Sequence, residues 1–173
     1  MMRRICLLIL LPAIFCAGKS RSGVQSPVTA DLLADFIENI GYSTERTTVR
    51  TTQGERAERI SVNISGENLE FELRTEFIPE LELTIIYVPD YMELEFGGAE
   101  TLPMLAYLMD QNRELLFGHL DWNMDTGELR LVFTLPTDDG ISESTFQTYF
   151  NTAATLADRK IIDLRETMDS FQN

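Results

Sequence analysis

Three short constellations in this sequence hold residue types capable of chemistry. Asp125-Thr126-Gly127 spells the triplet of aspartic proteases. That chemistry needs two carboxylates sharing a proton in an apolar cleft. Here the triplet is followed by charged Glu128 and lies between two alternating segments, where a tight turn explains all three residues. Asp121, Asn123 and Asp125 have the spacing of the first oxygen ligands in a calcium loop, but Thr126 stands where Gly is needed and Val132 where the bidentate Glu is needed. Strand alternation accounts for the spacing without a metal. His119 is the only histidine, and no Gly-x-Ser-x-Gly elbow supplies it with a nucleophile. No Walker loop or dinucleotide fingerprint is present. No catalytic, cofactor-binding or metal-binding residues are assigned on these grounds, and no cofactor is expected.

Composition narrows the function classes further. The chain has 173 residues, with 14 Lys+Arg against 28 Asp+Glu and a net charge of −14. Such a surface repels phosphates, which argues against unaided nucleic-acid binding. Hydrophobic residues make up 44%, enough for a packed core. Residues 1–18 read as a secretory signal peptide: Arg3 and Arg4, an apolar run from Ile5 to Cys16, and small residues at Cys16-Ala17-Gly18. The run is shorter than the ~20 residues a spanning helix needs. The expectation is export, to the periplasm in a bacterium, with no membrane span in the mature chain. A lipoprotein anchored through Cys16 is the weaker alternative, because Ile14 and Phe15 precede it where small residues belong. Cleavage leaves 12 basic against 28 acidic residues, a net charge of −16, and removes both cysteines. The mature chain then has no disulfide, thiolate nucleophile or Cys-bound metal.

The elements follow from hydrophobic period and turn residues. Residues 19–28 are polar, small and Pro/Gly-bearing, and read as a flexible tether before a domain spanning 29–173. Thr29 is a natural cap for a helix whose Leu32, Leu33, Phe36, Ile37 and Ile40 share one face, stopped by Gly41. Thr44 to Gln53 reads as an edge strand. Ile60, Val62 and Ile64 alternate with polar residues, as do Leu69, Phe71 and Leu73. A two-residue type II′ loop at Gly66-Glu67 would pair Ile64 with Leu69, Val62 with Phe71 and Ile60 with Leu73. That register sets Arg59 against Arg74, one visible strain. Leu81, Leu83, Ile85 and Tyr87 continue as a strand ended by Pro89. A second helix runs from about Leu102 to Phe117, capped by Thr101 and ended by Gly118, with Leu105, Leu108, Met109, Asn112 and Leu116 facing inward.

In the next hairpin a four-residue loop, Met124 to Gly127, pairs Trp122 with Leu129, Leu120 with Leu131 and Asp121 with Arg130. Gly127 then takes the positive φ of the turn. A long helix from Glu143 to about Phe171 closes the chain, with Ser142 as cap, an Ile141–Phe146 staple and a stripe from Phe146 through Phe150, Ala153, Ala157, Ile161, Leu164 and Met168. The predicted class is α+β: a single antiparallel sheet with three helices, in the order α-β-β-β-α-β-β-α, plus the edge strand at 44–53.

This order, with GHLDWNMDTGELRLVFTLPTDDGISESTFQTYFNTAATLAD in the second half, resembles the YbjN family over roughly Ala30 to Met168. The features carrying it are the Asp125-Thr126-Gly127-Glu128 turn, Leu135-Pro136 and the capped last helix. The family is named for bacterial sensory transduction regulators and is similar in fold to type III secretion chaperones, which are small, acidic, usually dimeric and bind proteins without ATP. The resemblance implies a non-enzymatic protein-binding module, chaperone-like or regulatory, and brings no catalytic residues.

Two surfaces are candidates for the contact. Glu70, Glu72, Glu80 and Glu82, on the outer faces of neighbouring strands, would favour a basic partner. Met92, Leu94 and Phe96 would form an exposed apolar strip for a partner or a second copy. The competing readings are a calcium- or small-ligand-binding envelope protein and a hydrolase using a carboxylate pair.

Overall fold

The computed structural model describes residues 27–51 and 54–172. The expected leader and most of the tether lie outside the described residues. Val28, at the tether's end, is buried against the core.

Helix α1 (Ala30–Glu38) begins where Thr29 Oγ1 accepts the Leu32 N–H at 3.1 Å, and it buries Leu33, Ala34 and Ile37. Strands β1 (Glu45–Arg50), β2 (Arg56–Ser65), β3 (Glu70–Ile78) and β4 (Leu83–Glu93) follow, with a short 3₁₀ turn at Pro79–Leu81 before β4. Helix α2 (Thr101–Glu114), strands β5 (His119–Trp122) and β6 (Glu128–Pro136) and helix α3 (Glu143–Gln172) complete the chain. The six strands form one antiparallel sheet in the order β1-β2-β3-β4-β6-β5. The expected α+β class and element order are those observed, with β1 as the edge strand.

The core lies between one sheet face and the helices. Ile60, Val62 and Ile64 of β2, Leu73 of β3, Ile86 and Val88 of β4, and Leu129, Leu131 and Phe133 of β6 meet Phe146, Phe150, Ala153, Ala157, Ile161 and Leu164 of α3. The α3 stripe expected from the sequence is fully buried from Phe146 to Leu164. Its cap is Ser142, whose Oγ accepts the Thr145 N–H at 3.1 Å. No helix among the described residues is long and apolar enough to cross a membrane.

Four local expectations give way to the structure. The β2–β3 register is two residues off the predicted one: Ile64 pairs with Phe71, Val62 with Leu73 and Ser65 with Glu70. A shift of two keeps the apolar face intact, so alternation alone could not choose between the registers. The observed one sets Arg59 against Glu76 rather than Arg74, and it opens a four-residue loop. Asp158 of α3 fills that loop. Its Oδ1 accepts the N–H groups of Asn68 (2.8 Å) and Leu69 (3.0 Å), and its Oδ2 that of Glu67 (3.0 Å). Gly66 is required for this approach, since a Cβ there would sit 2.0 Å from Asp158 Oδ1.

Second, Pro89 does not end β4. The pairing with β6 breaks between Val88 and Met92 and then resumes, with Asp90 at φ 47° inside the irregularity. A proline is tolerated there because the ladder asks nothing of its missing N–H. Third, Leu81 belongs to the 3₁₀ turn, not to a strand. Fourth, Thr101 is the first residue of α2 and not its cap. Its hydroxyl donates to the Glu95 carbonyl at 2.7 Å.

Candidate functional site

The structure separates the four acidic candidates. Glu70 and Glu72 open β3, whereas Glu80 sits in the 3₁₀ turn and Glu82 just after it at φ 49°. The rest of β3 from Glu72 to Ile78, about 20 Å at the rise of a strand, lies between the two pairs. Glu72 is also occupied, since its Oε2 accepts from Arg74 Nη2 at 2.6 Å and that contact holds the carboxyl below its ordinary pKa. The four do not form one patch.

The apolar strip is likewise dispersed. Leu94 is fully buried, its N–H donating to the Gly127 carbonyl (2.8 Å) and its carbonyl accepting from Trp122 Nε1 (2.9 Å). Met92 packs half-buried against the core. Only Phe96 is exposed, at 66%, stacked on Trp122 with ring centroids 6.2 Å apart.

A larger exposed apolar surface lies on α2, which the expected orientation of that helix had turned inward. Of the predicted inner face of α2, Leu108 is buried, but Met109 is 72% exposed and Leu116, just past the helix, 91%. The inward residues are instead Met104, Leu108 and Gln111. Asn112 ties α2 to the edge strand β5, its amide donating to the Leu120 carbonyl (3.0 Å) and accepting the Leu120 N–H (2.6 Å).

Leu102 and Met109, seven residues apart on the helix, face outward together, and Leu116, just past its end, is exposed as well. Phe96, Phe117 and Met124, in the segments before and after the helix, are also exposed, with the Phe117 ring 5.2 Å from that of Tyr149 on α3. The helix is apolar around much of its circumference, so periodicity could not say which side faces the sheet. The seven-residue spacing was the available signal for an outward stripe. Of its charged groups, Asp110 and Arg113 pair with each other at 3.3 Å, and Glu114 closes the helix. The α2 flank is therefore an apolar surface on an acidic molecule.

A second feature lies on the sheet face that no helix covers. Glu76 Oε1 accepts from Arg59 Nε (2.7 Å) and from Tyr87 Oη (2.7 Å). Burial, reinforced by Glu76, pushes the Tyr87 phenol up to about 12, so it remains a neutral donor across the physiological range. Two strands away, Arg130 Nη2 binds Asp121 Oδ2 at 2.6 Å, as the predicted register requires.

The three constellations with residue types capable of chemistry resolve as structure. Asp125-Thr126-Gly127 is a turn closed by Asn123 Oδ1 accepting the Asp125 N–H, with Gly127 at φ 77°. Asp121 is in the ion pair with Arg130, and His119 is an exposed strand residue. Among the described residues no cluster of three or more His, Cys, Asp or Glu side chains is placed to hold a metal ion.

A family model named YbjN, with the provisional description of bacterial sensory transduction regulator, matches residues 29–164. The crystal structure of YbjN from E. coli, described there, again provisionally, as a transcription regulator, aligns with a TM-score of 0.55 at 16% identity, covering 82% of this chain and 96% of that one. At that identity the likeness speaks for the fold. No curated protein matches the chain.

Proposed function

This chain belongs to the YbjN family, and from that premise we propose that it is an exported, non-enzymatic regulatory protein that acts by binding another protein through its α2 flank. The observation that carries the reading is the exposure of Leu102, Met109 and Leu116, each at least 72%, with Phe96, Phe117 and Met124 exposed in the neighbouring segments. Clustered apolar side chains of this size mark contact surfaces on soluble proteins. The partner's chemistry follows from charge. A chain of net charge −14 surrounds the stripe, so the matching surface is an apolar face rimmed by Lys and Arg. Apolar contact would supply the affinity and the acidic surroundings the steering. The leader-like residues 1–18 support export.

The test is cross-linking and affinity capture in native cell envelope, with unaltered protein and Leu102→Glu/Met109→Glu as paired baits. The captured protein is then purified and its binding measured at low and high salt. We expect one dominant partner with a basic surface, lost on the double substitution and weakened by salt. A partner retained by the double variant would overturn the assignment to α2. Recovery of the bait alone, or only as its own dimer, would overturn the basic-partner reading.

A further inference from the structure

An antiparallel sheet with helices on one side is expected to show water a polar second face. Here β4 reads Leu83-Thr84-Ile85-Ile86-Tyr87-Val88, an almost unbroken apolar run of the kind found in strands covered on both sides. Ile86 and Val88 face the helices. Leu83, Ile85 and Tyr87 face the other way, together with Ile78 of β3, only 3% exposed, and Val132 of β6. These side chains floor a concavity of about 400 Å³, walled by Arg50, Arg59 and Leu81 at one end and by Asp121 and Arg130 at the other. That volume lies within the range of small-molecule sites, and the mix of apolar floor and few polar groups is theirs too.

The charges along the wall favour one sign of ligand. Its two carboxylates already have partners: Glu76 takes Arg59 and Tyr87, and Asp121 takes Arg130. Arg50 donates one N–H to the Gly54 carbonyl at 3.1 Å and, among the described residues, has no carboxylate partner. On a chain carrying twice as many acids as bases, this wall holds three arginines against two acids. A cationic ligand would meet no free carboxylate. A doubly charged phosphate would exceed the one free guanidinium in charge, whereas a carboxylate matches it.

We propose that the concavity on the helix-free sheet face binds a small apolar monocarboxylate, a medium-chain or branched organic acid. Its carboxylate pairs with Arg50 and its hydrocarbon covers Ile85, Tyr87 and Val132. The site is separate from the α2 flank and does not depend on the role proposed there. It would make the protein responsive to a metabolite as well as to a partner.

The experiment is a titration of the purified protein with octanoate, and with octan-1-ol and octylamine as chain-matched controls, followed by amide and methyl NMR and by thermal unfolding. Octanoate should give saturable shifts confined to Leu83, Ile85, Tyr87 and Val132 and a raised unfolding midpoint. Octylamine should bind at least about tenfold more weakly, the scale of one charge-assisted hydrogen bond. Arg50→Gln, at an exposed position, should lower octanoate affinity about tenfold without altering the midpoint of the free protein. Val132→Thr should weaken octanoate and octanol alike. No saturable shift, shifts spread over the helix-packed core, octylamine binding as tightly as octanoate, or an Arg50→Gln variant that binds undiminished would each overturn the proposal.

Discussion

The β5–β6 hairpin is closed by its own residues, whereas the β2–β3 hairpin is closed by a carboxylate that the chain reaches some 90 residues later. In the first, Gly127 supplies the positive φ, the Asn123 carbonyl accepts the Gly127 N–H at 2.8 Å, and Asp121 and Arg130 meet across the strands. Every determinant is local, and the register could be read from the sequence. In the second, Asp158 on α3 holds three consecutive loop amides, and Glu76 rather than a turn residue selects the partner of Arg59. A loop that borrows its acceptors from a helix carries no turn signature of its own.

Five substitutions at four positions probe this difference, and the largest effect falls on the borrowed loop. Asp158→Ala removes the acceptor of three amides at once. It should lower the unfolding midpoint by several degrees and speed hydrogen exchange at Asn68 and Leu69, leaving the amides around Gly127 unaffected. Unchanged exchange at those two amides would show that the clamp is not what holds the loop. The same carboxyl gives the contrast a pH dependence. The Asn68 N–H, with those of Glu67 and Leu69, holds it below its ordinary value of 3.8. A depressed carboxylate stabilises fully above its unfolded-state pKa and loses that contribution as pH falls through the folded-state value. Asp158→Asn should therefore differ most from the parent at neutral pH and converge with it in acid; a gap independent of pH would contradict the assignment.

Next comes Glu76→Gln, which leaves Arg59 without a counter-charge on a largely shielded patch of sheet. We expect a loss of about 2 kcal/mol in denaturant unfolding. Gly127→Ala should cost somewhat less, about 1–2 kcal/mol, from a left-handed conformation with a Cβ 3.2 Å from the Leu94 carbonyl. Strand amides should keep their NMR cross-strand contacts in that variant, because the loop length is unaltered. The smallest change belongs to Asp121→Asn. Both partners of that pair are more than a third exposed, so the cost should be about 0.5 kcal/mol or less and should vanish in high salt. If Asp121→Asn proved as damaging as Glu76→Gln, the two hairpins would not differ in the way described.

What could be read in advance divides along the same line. Thr29, Ser142 and the α3 stripe carry their meaning within a few residues, and the structure follows them. The β2–β3 register was a choice between two arrangements with the same buried face, decided by Asp158 and Arg59, neither of which takes part in the alternation. Pro89 reads as a stop because a bulge is a property of two strands, not one. Leu94 alternates like part of an exposed strip, but Gly127 and Trp122 enclose its backbone. For α2, many apolar positions left several faces eligible, and contact with β5 and α3 decided among them. The candidate site was the least legible part. An exposed stripe and a concavity are properties of what neighbouring elements leave uncovered, and no single segment records that.

The Asp158 clamp also has a meaning in time. At about 5–20 residues per second, the ribosome makes Asp158 roughly 5–20 s after the loop it will hold. For that interval the Arg59–Glu76 pair alone favours the final register, and the loop amides lack their acceptor. The first half of the chain thus lacks one of its two register determinants while the second is unmade. In a nascent chain of this kind the β2–β3 loop stays without its clamp until α3 arrives.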